Sequence, residues 1–258
     1  MDFETITYAV DEGIATLTLN RPGVMNALSR QLRREMLVAI ARAVAEARVL
    51  VITGAGRAFC SGQDLTDAAQ LGALDLEKTL NDEYVPLLMA ITDCPIPTIA
   101  AVNGAAAGAG ANLALAADVV IAAESASFIQ AFTRIGLVPD AGGTYWLPRQ
   151  IGMARSLGAM LFGDKVSARQ AVDWGMIYDC VPDDGFAAHI RARAMQLASG
   201  PTTAYRGIKT ALRASPGNDL ATQLALEARL QGECGATADF HEGVAAFLGK
   251  RAARFTGA

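Results

Sequence analysis

The chain has 258 residues, of which 52% are hydrophobic and 19% charged, and its formal net charge is -4 at pH 7. This length and composition can bury the core of one large domain, or of one domain with a small appendage. The charges are interspersed, which excludes the basic footprint of a nucleic-acid-binding protein. No leader-like segment follows Met1, and no apolar run reaches the roughly 18 residues of a membrane span. We therefore expect a cytoplasmic protein with a small-molecule partner, and neither nucleic acid nor membrane.

The residue types that commonly bind metals are scattered. No two cysteines form a Cys-x-x-Cys pair, and both histidines fall in predicted helices of the C-terminal third. This argues against a disulfide framework and a zinc site, so we expect free thiols and no metal. The residues concerned are Cys60, Cys94, Cys180, Cys234, His189 and His241.

Periodicity predicts the N-terminal elements. Residues 5–10 and 14–19 alternate in polarity around a short acidic-glycine turn, which is typical of a β-hairpin. Apolar residues recur at helical spacing over residues 29–48, where Ser29 is suited to cap the helix. The apolar run 49–53 predicts a buried strand.

Helix and strand signals alternate through the middle of the chain. Residues 65–93 are mostly helical in pattern, whereas residues 97–102 and 119–122 read as strands. Strands that alternate with helices predict an α/β core.

The C-terminal part differs in pattern from the rest. Strand signals vanish after about residue 201, and residues 220–232 and 241–255 predict helices. We expect a core over residues 1–200 and a helical region over residues 201–258.

A run of small residues follows the strand predicted at 97–102. Residues 103–112 read NGAAAGAGAN, and no inner side chain exceeds a methyl group. The pattern predicts a strand that runs into a helix N-terminus, whose free N–H groups carry partial positive charge and admit a close ligand. Such a run also permits close packing of helices, and the local sequence favours neither interpretation.

Residues 54–65, GAGRAFCSGQDL, form a second loop of this kind. Two such loops can supply two converging N–H donors, the geometry that stabilises an enolate or thioester oxyanion. The alternative is nucleotide binding. However, Phe59 and Leu113 stand where the dinucleotide fingerprint would require its third glycine, and the Lys-Ser/Thr ending of a P-loop is absent.

Several motifs together resemble the crotonase, or enoyl-CoA hydratase/isomerase, superfamily over essentially the whole chain. This resemblance implies an α/β fold built as a spiral of β-β-α repeats, followed by a C-terminal helical trimerisation segment. It also implies acyl-CoA thioester substrates, no cofactor beyond the coenzyme A of the substrate, and a homotrimer or dimer of trimers. The motifs are LNRP at 19–22, TGAGRAFCSGQDL at 53–65, VNG at 102–104, IGLVPDAGG at 135–143 and EGVAAF at 242–247.

The resemblance also assigns roles to single residues. It places the two oxyanion donors at the backbone N–H groups of Gln63 and Ala109, and the single acid/base carboxylate of isomerase-like members at Asp140. Asn112 and Phe132 occupy the positions of the two hydratase glutamates, and neither side chain exchanges a proton at neutral pH. Its neighbours alone favour a turn or helix-cap role for Asp140, and only the family resemblance favours catalysis. The resemblance further implies contacts with substrate or CoA at Ala58, Cys60, Gln63, Asp64, Leu65, Gly108, Phe132 and Phe247. Gly23 stands where some relatives carry a CoA-binding lysine, so Lys250 is the best remaining candidate for a phosphate contact, and a solvated charge on a C-terminal helix explains it equally well.

One carboxylate suffices for a proton shift, so an acyl-CoA isomerase is favoured over a hydratase. Among isomerases of this family, the sequence most resembles those that open a ring epoxide of phenylacetyl-CoA to its oxepin form, and relatives also shift double bonds in linear enoyl-CoAs. Either phenylacetate or fatty-acid metabolism is therefore implied. The dehalogenases of the family carry a nucleophile at the position of Asp140, supported by a Trp and a His. Here Phe132 stands near the place of that Trp and the chain's histidines are His189 and His241, so dehalogenation is a weaker alternative. The RNA-binding relatives need a basic surface, which this chain lacks.

Overall fold

The computed structural model describes residues 3–66 and 75–258. Within these ranges, ten strands form two sheets. The large sheet has six strands in the order β1-β2-β3-β5-β7-β10, and the small sheet has four in the order β4-β6-β8-β9. The strands are β1 Ile6–Asp11, β2 Ile14–Leu19, β3 Val49–Gly54, β4 Ala58–Cys60, β5 Thr98–Val102, β6 Ala105–Ala107, β7 Val119–Ala123, β8 Ser127–Ile129, β9 Lys165–Ser167 and β10 Asp179–Val181.

Helices cover both sheets and make up the C-terminal part. A π-helical turn, Leu80–Tyr84, joins α2 to α3. The longest helix, α5, is interrupted at Gly152, where φ is 77°. The helices are α1 Arg30–Glu46, α2 Leu76–Thr79, α3 Val85–Thr92, α4 Ala109–Leu115, α5 Gly143–Phe162, α6 Ala168–Asp173, α7 Phe186–Ala198, α8 Thr202–Ala214, α9 Leu220–Gly235 and α10 Ala238–Leu248.

The chain advances as a spiral between the two sheets. Strands β3, β5 and β7 lie side by side and parallel in the large sheet. Each is followed directly by a strand of the small sheet, β4, β6 or β8, and these are also parallel neighbours. The spiral of β-β-α units expected from the sequence is therefore confirmed.

The hydrophobic core lies between the sheets and α1. Because β3 and β5 are covered on both faces, their apolar runs are continuous instead of alternating. The predicted hairpin is confirmed as an antiparallel pair, with Ile6 opposite Leu19. The predicted cap is confirmed as well, since the Ser29 hydroxyl accepts a hydrogen bond from the Leu32 N–H at 3.3 Å.

Two sequence predictions differ from the structure. Residues 103–112 do not run straight from strand to helix, because the short strand β6 intervenes and pairs with β4 and β8. Alanine side chains give no alternation, so this strand left no sequence signal. The helix predicted over 241–255 begins earlier and ends at Leu248. Beyond it the chain turns at Lys250, whose φ is 50°, and the Glu242 carboxylate accepts from the Arg254 N–H at 2.8 Å.

Helix α8 of the C-terminal part contacts the core through partly buried ion pairs. Lys209 and Arg213 of α8 bind the Asp118 carboxylate at 2.6 and 2.7 Å. No strand follows Val181 in the described chain, as the sequence predicted for the region after residue 201. The helical prediction for residues 65–93 is confirmed over α2 and α3, while residues 67–74 lie outside the described part. Among the described residues, no helix combines the length and apolar character needed to cross a membrane.

Candidate active site

Three neighbouring strands of the small sheet deliver the three parts of the candidate site. Strand β4 leads into the loop that carries Gln63, β6 leads to Ala109 at the start of α4, and β8 leads to Phe132. The three strands are parallel neighbours, so their carboxyl ends meet at one edge of the sheet. Sheet topology therefore brings together loops that are far apart in sequence.

The loop after β4 lies against the loop after β6. Gly62 has a φ of 93°, and a Cβ built on it would lie 2.8 Å from the Ala107 carbonyl oxygen and 3.4 Å from the Ala109 nitrogen. Only glycine allows this approach. Neither Gln63 N–H nor Ala109 N–H has a hydrogen-bond acceptor among the described residues. The two adjacent loops thus each carry an unpaired backbone donor, and the binding of one ligand oxygen by both stays a prediction.

A cavity of about 340 Å³ opens beside these two amides. Its lining is mostly apolar, and Asp140 is the only carboxylate among the described residues that line it. The ring of Phe132 lies 3.8 Å from a Cβ built on Gly108, so it packs against the turn before α4. The predicted site residues that line the cavity are Gln63, Leu65, Gly108, Ala109, Phe132 and Asp140.

Burial perturbs the Asp140 carboxyl. It raises the pKa of this group from 3.8 to about 6, because the charged form loses hydration in the cavity wall. Its Oδ1 atom is buried and has no hydrogen-bond partner among the described residues. A carboxylate with a pKa near neutrality and a free oxygen suits proton exchange with a bound ligand.

Asn112 holds the Asp140 backbone instead of facing the ligand. It is fully buried in α4, and its Nδ2 donates to the Asp140 carbonyl oxygen at 2.8 Å. Its Oδ1 accepts from Gln130 Nε2 at 2.8 Å. Gly143 packs so closely that a Cβ on it would lie 2.5 Å from Asn112 Nδ2. Asn112 thus fixes the loop that carries Asp140.

The remaining residues predicted to contact CoA lie outside this cavity. Ala58 and Cys60 are buried in β4, and burial raises the pKa of the Cys60 thiol to about 12. The Asp64 carboxylate forms an ion pair with Arg21 at 2.8 Å. Ala58, Cys60 and Asp64 therefore have only their backbone to offer a ligand, and this contact stays a prediction.

Two further predicted CoA contacts lie near the C-terminus. Phe247 is 84% exposed and borders a separate groove at α10, while Lys250 lies just beyond the end of that helix. The structure does not bring either residue to the cavity, and their contact with CoA also stays a prediction.

Sequence reasoning missed Tyr84 and Arg33. Tyr84 lines the cavity and is 3% exposed, and its hydroxyl donates to Gln63 Oε1. Arg33 is a buried member of α1 whose guanidinium contacts both residues. The one available signal was Arg33 itself, because a charged residue on the apolar face of a helix requires a buried partner.

Neither histidine chemistry nor metal chemistry has support among the described residues of this site. His189 and His241 lie on α7 and α10, outside the cavity. In the described ranges, no group of three or more His, Cys, Asp or Glu side chains could hold a metal ion. The polar side chains that line the cavity belong instead to Ser61, Gln63, Thr79, Tyr84, Arg134 and Asp140.

The fold and this site define an α/β spiral protein with an apolar cavity beside two unpaired backbone amides, and comparisons with known proteins identify its family. The model of the enoyl-CoA hydratase/isomerase family matches residues 9–258, so the chain belongs to this family. It is 61% identical over 257 residues to a probable enoyl-CoA hydratase of Rhodobacter capsulatus, with both chains fully covered.

Two further proteins show the same relationship. The chain is 45% identical over 259 residues to the 1,2-epoxyphenylacetyl-CoA isomerase of Escherichia coli, covering 98% of this chain and 99% of the relative. The crystal structure of an enoyl-CoA hydratase from Bacillus anthracis superposes with a TM-score of 0.92 at 32% identity, covering 99% of this chain and all of the other. The family is thus established, and its named members include both hydratases and isomerases.

Proposed function

We propose that this enzyme is an acyl-CoA isomerase in which Asp140 moves a proton along the acyl group. The observation that carries the proposal is a carboxylate with a raised pKa, the only one that the described residues bring to the cavity wall, beside two unpaired backbone amides. Such a set supports a reaction that needs one proton-exchanging group and one oxyanion hole.

The proposed mechanism has two proton transfers. The Asp140 carboxylate removes a proton from a carbon next to the thioester, or one further along the conjugated system, and becomes a neutral acid. The electron pair moves to the thioester oxygen, where the N–H groups of Gln63 and Ala109 stabilise the resulting enolate. The same acid then returns the proton at a different carbon, so no atom is gained or lost. The donors are aimed at the oxygen before charge develops, so they stabilise the transition state more than the substrate.

A hydratase is the second candidate, and the name of the Rhodobacter capsulatus relative favours it. Hydration requires one group that orients water and groups that exchange its protons. Asn112 is buried and bonded to the Asp140 backbone, and Phe132 presents a hydrocarbon ring to the cavity. Asp140 would have to do all of this work alone, which is why we favour isomerisation.

The name of the Escherichia coli relative supports a ring epoxide of phenylacetyl-CoA as the substrate and phenylacetate catabolism as the pathway. The mostly apolar lining of the cavity also suits a linear enoyl chain, a substrate that would place the enzyme in fatty-acid metabolism. We further propose that the reaction uses no cofactor beyond the CoA of the substrate. The free cysteines support a cytoplasmic location, where thiols stay reduced. The exposed apolar side chains of Leu212, Leu224 and Phe247 support a trimer formed through the C-terminal helices.

The decisive experiment is incubation in heavy-oxygen water with three substrates. These are cis-3-enoyl-CoA, crotonyl-CoA and the phenylacetyl-CoA ring epoxide. We expect isomerisation of at least one substrate and no comparable incorporation of solvent oxygen, measured by mass spectrometry of the products. Incorporation from crotonyl-CoA at a rate similar to isomerisation would establish the hydratase instead.

A further inference from the structure

The cavity contains one polar cluster that the proton transfer does not use. The Tyr84 hydroxyl donates to Gln63 Oε1. Arg33 Nη1 donates to the same Gln63 oxygen at 3.2 Å and to the Tyr84 hydroxyl at 3.3 Å. The three groups form a closed triangle around the side chain of Gln63, whose backbone N–H is assigned above to the oxyanion hole.

Arg33 is held firmly within this triangle. The Glu83 carboxylate accepts from its Nη2 at 2.5 Å and from its Nε at 3.1 Å. The guanidinium carbon lies 4.6 Å from the centre of the Tyr84 ring. Both bonds end on the same Glu83 oxygen, Oε2. The Arg33 side chain is 3% exposed and the Glu83 side chain 15%, so solvent screens this ion pair little.

Arg33 also reaches Gln63 through the backbone of Leu28. Arg33 Nη1 donates to the Leu28 carbonyl oxygen at 2.5 Å. The Leu28 N–H donates to the Gly62 carbonyl oxygen at 2.8 Å, and the Leu28 carbonyl oxygen accepts from the Asp64 N–H at 3.4 Å. Leu28 therefore brackets Gln63 on both sides.

This bracket determines the direction of the Gln63 N–H. In a trans peptide the C=O and the N–H point in opposite directions. The Gly62 carbonyl points at Leu28, so the N–H of the same peptide, which belongs to Gln63, points away from Leu28. The hydrogen bonds from Arg33 and Tyr84 fix the Gln63 side chain at its amide oxygen.

We propose that Arg33 and Tyr84 are positioning residues for the oxyanion hole, which act by fixing Gln63. The inference rests on the proposed function only in taking the Gln63 N–H as an oxyanion donor, whatever reaction follows. A donor held in place stabilises developing charge without reorganisation, and a displacement of about 1 Å can lower a rate roughly 100-fold.

The test uses two conservative variants and their combination. Tyr84→Phe removes the hydroxyl but keeps the ring that shapes the cavity, and Gln63→Met removes the amide but keeps the length of the side chain. Two quantities are measured: kcat/KM for isomerisation, and the ultraviolet absorbance of the enolate that bound acetoacetyl-CoA forms. The second reports the oxyanion hole directly, because the charge of that enolate lies on the oxygen that the hole holds.

We expect each single variant to lower kcat/KM about tenfold, less than the roughly 100-fold effect of losing a whole donor. The enolate absorbance should fall in parallel, while the affinity for free coenzyme A is unchanged. Because both residues act through one unit, the double variant should be no worse than either single variant. Tyr178→Phe is the matched control, since it removes a tyrosine hydroxyl that bonds to an arginine, Arg193, outside the cavity.

Two results would overturn the proposal. One is an unchanged enolate absorbance with only a raised KM in Tyr84→Phe, which would make Tyr84 a simple wall of the cavity. The other is multiplication of the two single effects in the double variant. A wild-type enzyme that forms the bound enolate but isomerises none of the three substrates would refute the proposed function alone. Loss of the enolate in Tyr84→Phe would then still support the positioning role, and Gln63→Met provides the same readout if Tyr84→Phe does not fold.

Discussion

The Asp140→Asn substitution tests the proton transfer and the desolvation of this carboxyl in one variant. Asparagine has nearly the same shape but exchanges no proton at neutral pH. Positioned acid–base groups contribute about 10²- to 10⁴-fold to rates, so we expect kcat for isomerisation to fall at least about 100-fold. Acyl-CoA affinity should persist, since the amides of Gln63 and Ala109 remain.

The same variant should be more stable than the wild type at neutral pH. The folded-state pKa of Asp140 is raised from 3.8 to about 6, so the folded chain holds this proton more tightly than the unfolded chain. Protonated Asp140 therefore stabilises the fold relative to ionised Asp140. This contribution to the free energy of unfolding is complete below about pH 4 and is lost as pH rises through about 6. At pH 8 the difference in pKa corresponds to a free energy of unfolding that is lower by about 3 kcal/mol than with a neutral side chain. The carboxyl is only partly buried, and solvent screening reduces this to about 1–2 kcal/mol.

Urea unfolding at pH 5 and pH 8 measures the stability, and kcat/KM is followed over the same range. For the wild type, kcat/KM should rise with pH and level off above about 6, where Asp140 is ionised. The stability advantage of Asp140→Asn should shrink towards pH 5. Asp164→Asn, at an exposed carboxylate outside the cavity, is the control. Full turnover with intact binding would remove Asp140 from the mechanism, and an equal advantage at both pH values would refute the desolvation argument.

Three further substitutions test the support of the site. Gly62→Ala places a Cβ at 2.8 Å from the Ala107 oxygen with a positive φ, so we expect about 1–3 kcal/mol lower stability by urea unfolding and a lower enolate absorbance with acetoacetyl-CoA. Asn112→Glu puts a carboxylate in a fully buried site and should reduce stability by at least about 2 kcal/mol without creating crotonyl-CoA hydration; a stable, active hydratase would contradict this. In the wild type the Asp239 carboxylate accepts from the Thr256 and Gly257 N–H groups at 2.7 and 2.8 Å, and Asp239→Ala removes this acceptor. It should lower stability by about 2–4 kcal/mol and expose the C-terminal tail to limited proteolysis, whereas unchanged cleavage would show that the tail is held otherwise.

Short-range patterns were sufficient for the elements with strong periodicity. The hairpin, α1 with its Ser29 cap, and β3 follow from alternation or helical spacing within a few residues. The strands of the small sheet carried no such signal, because each has only three residues. Such strands are stabilised by pairing with distant neighbours, which no local window contains.

The sequence by itself determined the chemical parts: two loops of small residues, one Asp among apolar neighbours, and an Asn and a Phe at the positions where the family resemblance places hydratase glutamates. Only the tertiary structure decided how these parts meet. Parallel pairing of β4, β6 and β8 brings the loops to one edge, and burial in the cavity wall raises the pKa of Asp140. Asn112 points at a backbone carbonyl, and Arg33 reaches Tyr84 across 51 positions of sequence. Both results depend on which chain segments pack together, and packing is a property of the whole fold.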